Sequence, residues 1–327
     1  MKATSLRRAL PAPLLLGLAI VLFGLLGMPW TTWITLTVAG LGMGLMLFVM
    51  AAGMTLSFGL MDVLNLGHGA LIALGGFVGA TVAAALQARW HAPGLLGALT
   101  VAGAAYVAAF VVLAPVGVAF EALFVRPVYR DPLRQILVTV GASYLIAELL
   151  KAIWGPASLS MGMPSSLVGG LSLGGVVIEK YRLLAAACGL LVYLGLQALV
   201  HRTRAGLLIR AGVENVEMVE ALGYRVRLLF LAVFVGGAAL AGLGGAMWGL
   251  YQGQVSTGMG AEMLVMIIIV VIMGGLGSIS GCLYASVLVG LLSNYTTYIV
   301  PTVSLFSSIG LLVVVLLAWP RGLLPAR

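Results

Sequence analysis

The chain has 327 residues, 62% of them hydrophobic and 8% charged, with a formal net charge of +8 and a mean hydropathy of +1.18. No soluble core needs that much apolar sequence, so composition excludes an ordinary globular enzyme and defines an all-α, polytopic integral membrane protein. The positive charge is the mark of basic loops flanking membrane spans, not of nucleic-acid binding.

No polar block is long enough to fold separately, so one membrane domain is expected over residues 1–327. Cys188 and Cys282 both lie in apolar runs and read neither as a disulfide framework nor as a metal site.

Lys2, Arg7 and Arg8 precede an apolar run that continues to Gly27. The run is long and no small-x-small cleavage pattern follows, so an uncleaved first span is expected. A hydrocarbon core about 30 Å thick takes roughly 20 helical residues. On that scale ten spans are expected, at 10–28, 33–56, 67–88, 95–119, 135–153, 183–200, 228–250, 263–276, 281–300 and 304–319. The eighth is short and would also suit a re-entrant segment, which leaves the count at eight to ten.

With the N-terminus in the cytoplasm, the inner connections hold Lys2, Arg7, Arg8, Arg126, Arg130, Arg134, Arg202, Arg204, Arg210, Arg225, Arg227, Arg321 and Arg327. The outer side holds Arg89, Lys151, Lys180 and Arg182. That asymmetry follows the positive-inside rule and puts both termini in the cytoplasm, with an even number of spans. Trp30, Trp33, Trp154 and Trp319 fall near span ends, where interfacial aromatics belong.

Two Gly-rich breaks interrupt the apolar pattern. Ser57–Gly76 holds Asp62, Asn65 and His68 among Gly59, Gly67, Gly69, Gly75 and Gly76; Gly274–Gly281 reads GGLGSISG. Glycine permits both a broken helix and close backbone approach. A broken helix at membrane depth is tolerated only where protein or water surrounds it. Gly59, Asn65, His68, Gly69, Gly274, Gly275 and Gly277 are therefore candidates for a translocation route, with tight helix packing as the equal alternative.

Leu159–Gly175 is rich in Ser and Gly and reads as an outer loop, either a partner contact or a flexible connector. The longest hydrophilic stretch is His201–Arg227. Glu214, Glu217 and Glu220 alternate there with Val213, Val216, Val219 and Leu222, the pattern of a short amphipathic helix. A loop that only turns the chain is a few residues long, so docking to a partner is one reading and lying on the lipid surface the other.

The chemistry is sparse. None of the nine acidic residues falls at an expected span centre, and Glu148 is one turn from Lys151, an interfacial pair. That disfavours a proton-coupled carrier; a Na⁺-coupled carrier using backbone carbonyls stays open. An intramembrane enzyme would use His68 with Asp62, but GSISG at Gly277–Gly281 supplies no activated nucleophile, and His91 and His201 lie on loops. No Walker A motif is present, so ATP-driven transport would need hydrolysis in another subunit.

Four segments carry a resemblance. GLMDVLNLGHG (Gly59–Gly69) is similar to a motif that opens on GL and closes on N-x-x-HG; TRAGLLIRA (Thr203–Ala211) with ALGY (Ala221–Tyr224), GGLGSISG (Gly274–Gly281) and EALFVRPVYRDPLR (Glu121–Arg134) follow in kind. Together they resemble the membrane permeases of branched-chain amino acid ABC importers, the LivH type, over nearly the whole chain. Asp62 and Gly67 depart from the pattern, and importers of urea and amides use similar permeases.

The resemblance implies a complex with a second related permease, two ATP-binding cassette subunits and a periplasmic solute-binding protein. ATP and Mg²⁺ would be held by the partner subunits and no cofactor by this chain. It also implies that residues 201–227 couple to the ATPase through Thr203, Arg204, Gly206, Arg210, Ala211, Leu222 and Gly223. Arg204 and Arg210 would pair with acidic groups of the partner or with lipid phosphate.

Overall fold

Segments apolar on every side have no reason to leave a helix in lipid, where each backbone group must find its partner internally. A computed structural model of the protein describes residues 11–61, 63, 65–89, 94–129, 131–214 and 216–324. Lys2, Arg7, Arg8, Asp62, His91, Arg130 and Arg327 lie outside them. Ten apolar helices account for most of the chain: α1 (Pro11–Gly27), α2 (Trp30–Met61), α3 (His68–Arg89), α4 (Leu95–Phe120), α5 (Pro132–Trp154), α6 (Lys180–Arg202), α9 (Val226–Gln252), α10 (Met259–Gly274), α11 (Ile279–Ile299) and α12 (Pro301–Ala318). Seven are long and apolar enough to cross a membrane by length and composition: α2 to α6, α9 and α11. The polar α7 (Arg204–Glu214) and α8 (Val216–Ala221) lie between α6 and α9.

Contacts along the helices set their directions. Added Cβ atoms on Gly40 and Gly44 of α2 would meet Leu291 and Val287 of α11, so these helices run antiparallel. Gly17, Gly24 and Gly27 of α1 face Tyr284, Tyr295 and Ile299, which makes α1 parallel to α11. Gly75 and Gly79 of α3 face Gly242 and Ala246 of α9, again in parallel. The bundle therefore has two ends. One, here the basic face, carries the start of α9, α7, α8 and the Gly274–Gly281 break. The other, the hairpin face, carries residues 155–179.

At the centre stands α9, whose small residues let neighbours in to backbone contact. A Cβ on Gly237 would lie 2.8 Å from the Gly53 carbonyl oxygen of α2, and one on Gly242 2.8 Å from the Ala109 carbonyl oxygen of α4. Dispersion and backbone proximity drive helix association in lipid, and small residues maximise both. Phe48, Met50, Phe77, Leu113, Tyr181 and Phe234 fill the remaining core. The Tyr106 and Tyr181 hydroxyls meet at 2.7 Å, and Tyr181 donates on to the Met247 carbonyl, so both buried phenols are satisfied.

The element ends follow local chemistry. Asp131 caps α5 by accepting from the Arg134 amide at 3.1 Å, with Pro132 in the first turn; Ser278 caps α11 by accepting from Gly281 at 3.1 Å. Glu148 and Lys151 pair at 2.6 Å on α5, as their spacing predicts.

Three expectations are corrected. The Ser/Gly-rich segment is not a plain connector. Its β1 (Leu159–Ser160) pairs antiparallel with β4 (Gln254–Val255), and β2 (Gly170–Leu173) forms a hairpin with β3 (Val176–Glu179). Gly174 and Gly175, at φ 57° and 86°, supply the positive φ angles of that tight turn.

The amphipathic pattern over 213–222 does not stay helical to its end. Leu222 falls in the turn after α8, which ends at Ala221, and is 70% exposed, so it joins no apolar stripe with buried Val219. The eighth span begins at Met259, earlier and, as shown below, deeper than expected.

Candidate functional site

The break between α2 and α3 is built by Asn65. Its side-chain Oδ1 accepts from the Gly67 amide at 3.0 Å and its carbonyl accepts from the His68 amide at 3.2 Å, a local turn that launches α3. The Leu66 amide donates to Thr139 Oγ1 of α5 at 3.3 Å. Both Asn65 and His68 are 2% exposed. His68 Nε2 donates to the Met50 carbonyl at 2.9 Å, which fixes that tautomer.

Met50 is eleven residues from Met61, the end of α2, or about 16 Å at 1.5 Å per residue. The chain therefore turns back after α2, and α3 starts inside the bundle, not at its surface.

A second helix starts at the same depth. A Cβ on Gly260 of α10 would come within 2.5 Å of the Gly69 carbonyl oxygen, so the first turns of α3 and α10 touch backbone to backbone. The 16 residues of α10 span about 24 Å, short of a core about 30 Å thick. Its far end, Gly274, packs on Gly281 of α11 at the basic face; Leu324 donates to the Gly274 carbonyl at 3.2 Å.

These two starts, with α5, enclose a groove of about 260 Å³ lined by Leu66, Gly69, Ala73, Ser143, Tyr144, Ala147, Thr257, Gly260, Ala261 and Leu264. Its α5 wall lies between Arg134 at one end of that helix and Lys151 at the other. Glu262, in the first turn of α10, is exposed beside it.

Of the seven residues expected on a route, only Gly69 lines this groove. Asn65 and His68 are buried behind it with partners inside the protein. Gly59 and Gly277 meet each other at the basic face, where Gly274 packs on Gly281 and Gly275 on Gly322. The two Gly-rich breaks are thus brought together, in backbone contact. Sequence reasoning missed Ser143, Tyr144, Thr257 and Gly260, which look like ordinary span residues. It also placed Glu262 at a span edge. Because α10 starts deep, that carboxylate lies twelve residues before Gly274, about 18 Å along the axis and within the hydrocarbon depth.

On the basic face, Thr203 caps α7: its Oγ1 accepts from the Gly206 amide at 3.1 Å. Gly206 is buried, and any side chain there would overlap the Leu199 and Val200 carbonyls. Arg204, Arg210, Leu222 and Gly223 are exposed, and Ala211 is half-buried. Gly223 has φ 85° and turns the chain after α8. Beside it opens a cavity of about 650 Å³ lined by Glu121, Arg126, Glu220, Tyr224, Arg225, Arg227 and Leu231. Residues Glu121–Val125 form a π-helical turn continuing α4, so Glu121 is presented to the same cavity as Glu220.

A polytopic helical bundle with two helices starting at mid-depth, a mostly apolar groove between them that carries the hydroxyls of Ser143, Tyr144 and Thr257, and a charged face at one end is the build of a solute permease. The pattern of the branched-chain amino acid transport system permease component matches residues 36–318, and the chain belongs to that family. It is 28% identical over 292 residues to the high-affinity branched-chain amino acid transport system permease protein BraD of Pseudomonas aeruginosa, covering 88% of this chain and 94% of BraD. It is 26% identical over 292 residues to LivH of Escherichia coli K12, covering 87% and 93%.

A shorter stretch, 109 residues at 29% identity, covers 34% of a probable LivH of Methanocaldococcus jannaschii. No solved structure matches the chain. The protein is accordingly a multi-pass membrane permease component of an importer, not an enzyme, and works with ABC-type components and binding proteins.

Proposed function

We propose that this chain is one of two related permease subunits of an ATP-driven importer that moves branched-chain or related small amino acids across a bacterial inner membrane. The observation that carries the reading is the end-to-end likeness to BraD and LivH, which leaves only short terminal segments unmatched. The basic face is the cytoplasmic one, since it gathers Arg126, Arg134, Arg202, Arg204, Arg210, Arg225, Arg227 and Arg321. Both termini then lie in the cytoplasm.

Two ATP-binding cassette subunits dock on that face, hold ATP and Mg²⁺, and leave this chain without a cofactor. Their contact is residues 201–227 within the single permease domain. Exposed Arg204, Arg210 and Leu222 on a capped, glycine-bounded segment beside the charged cavity support that role. A periplasmic binding protein delivers solute to the hairpin face. The route follows Gly69 and the groove between α3, α5 and α10, and the Gly59–Gly277 contact marks its inner end.

The test is uptake of radiolabelled leucine by proteoliposomes holding the complete importer, with ATP on the cytoplasmic side of the complex. ATP-dependent uptake that requires the binding protein is expected. Uptake driven by a Na⁺ gradient without ATP would overturn the reading.

A further inference from the structure

Glu121, Arg126, Glu220, Arg225 and Arg227 bring two carboxylates and three guanidiniums to the cavity of about 650 Å³ on the basic face. We infer that this cavity is a lipid-headgroup site whose occupant carries both a phosphate and a primary ammonium, a phosphatidylethanolamine. The site goes beyond the importer reading and holds whichever solute is carried.

Depth comes first. Leu95–Val128 is one apolar run of 34 helical residues, about 50 Å long at 1.5 Å per residue, against a hydrocarbon core about 30 Å thick. The 26 residues of α4 carry no charge, so the excess falls at the end that begins with Glu121. Arg225 and Arg227 stand likewise at the start of α9, whose remaining residues are uncharged. The cavity therefore sits at headgroup level.

Packing holds its shape. An added Cβ on Gly117 would lie 2.7 Å from the Ala238 Cβ, so α4 and α9 touch there; beyond that contact they separate and the cavity opens between them. Phe120 stacks on Phe234 with ring centroids 6.0 Å apart, and Tyr129 on Phe230 at 6.2 Å, which fixes the two walls. Val118, Ala122, Leu228 and Leu231 supply the apolar lining. Val107, Val111 and Val118 are exposed at helical spacing along one face of α4, and Val118 belongs to both surfaces, so an acyl chain reaches the cavity along that face.

The charges select the ligand. None of the five enters an ion pair; those among the described residues are Arg134–Asp131, Lys151–Glu148 and Arg182–Glu179. Guanidinium forks match phosphate oxygens, and basic pockets at a membrane boundary bind phospholipid headgroups. Glu121 and Glu220 repel a headgroup that is only anionic, and they accept from the three N–H donors of a primary ammonium. A quaternary ammonium has no N–H to offer them. Arg204, Arg210 and Leu222, the proposed ATPase contacts, do not line the cavity, so lipid and ATPase occupy separate surfaces.

The experiment uses the complete importer in phosphatidylcholine vesicles holding a trace of phosphatidylethanolamine with a diazirine near its glycerol. After illumination, cross-linked peptides are located by mass spectrometry. Cross-links should fall within 118–126 and 224–231. Unlabelled phosphatidylethanolamine should remove them at concentrations where phosphatidylglycerol does not. Arg126→Gln combined with Arg227→Gln should lower the yield about tenfold, through loss of charge-assisted partners. Glu121→Gln combined with Glu220→Gln should let phosphatidylglycerol compete as well as phosphatidylethanolamine. Arg321→Gln, elsewhere on the basic face, should leave the yield unchanged. Co-elution with the ATPase subunits shows which variants assemble; for one that does not, the wild-type competition decides. Cross-links spread evenly along the apolar helices, equal competition by the two lipids, or an undiminished yield in the assembled arginine variant overturns the inference. Labelling that appears only when the ATPase subunits are absent also overturns it, and makes the cavity part of the protein interface. Leucine uptake by the wild-type complex is read separately, so the importer reading stands or falls on its own.

Discussion

Gln197, near the end of α6, donates its side-chain amide to the hydroxyl of Ser280, in the first turn of α11, at 2.7 Å. Gln197 precedes the proposed coupling segment, residues 201–227, by four residues, and Ser280 belongs to the Gly274–Gly281 break, so one bond links α6 to that break at the basic face. A bond of this kind contributes about 1 kcal/mol. Gln197→Leu and Ser280→Ala should each cost about that much in unfolding measurements, and the double variant should cost much less than their sum. Additive losses would show that the two side chains act independently.

Glycines at backbone contacts should tolerate nothing larger. Gly245→Val places a branched side chain into the Ile72 carbonyl, and Gly53→Val does the same at Gly237. Both should abolish recovery of folded protein in detergent, judged by size-exclusion chromatography. Gly103 and Gly141, with nothing near an added Cβ, are the controls. Gly103→Ala and Gly141→Ala should be neutral or stabilising by up to about 1 kcal/mol, because alanine loses less backbone freedom in a helix.

Removal of the α7 cap tests how the coupling segment is held. Thr203→Val keeps the shape but leaves the Gly206 amide without its side-chain acceptor. The expected cost is about 1 kcal/mol. Hydrogen exchange should rise at the first turn of α7, with α9 unchanged.

Leu222→Asp and Gly223→Val address force transmission. Gly223 holds φ 85°, a conformation that a β-branched residue reaches at a cost of about 1–2 kcal/mol. Both variants should assemble with the ATPase subunits yet show leucine uptake reduced at least fivefold relative to ATP hydrolysis. Unchanged uptake in both would leave Leu222–Gly223 a solvated turn.

Much of this architecture is legible in the sequence because lipid makes stringent demands. Ten apolar runs became ten helices, and the charge count separates the described basic residues between two faces. The resemblance carried by four motifs agrees with the family match. What the sequence does not disclose is depth. Averaged hydropathy registers that 263–276 is apolar, not that its helix starts against Gly69 far from either surface.

The same gap hid the groove. Its lining comes from α3, α5 and α10, which are neighbours only after the chain turns back twice, so Thr257 and Tyr144 carry no local signature. Asn65 and His68 were legible as polar residues in an apolar stretch. What their polarity did not disclose is its internal partners, the turn between α2 and α3 and the Met50 carbonyl. The hairpin and the β1–β4 pair were missed because two- to four-residue strands in a Ser/Gly-rich segment lack an alternating pattern.

The β1–β4 pairing has a mechanical consequence. Val255, paired with Leu159, is four residues before Met259, where α10 begins. The outer loop is thus tethered to the start of α10 through a four-residue strap. Glycine contacts clamp α9 and α11 on several sides, whereas the first turn of α10 has Ala261 and Glu262 exposed. A displacement of residues 159–160 would reach the mouth of the groove through that strap, at the helix start that packs on Gly69.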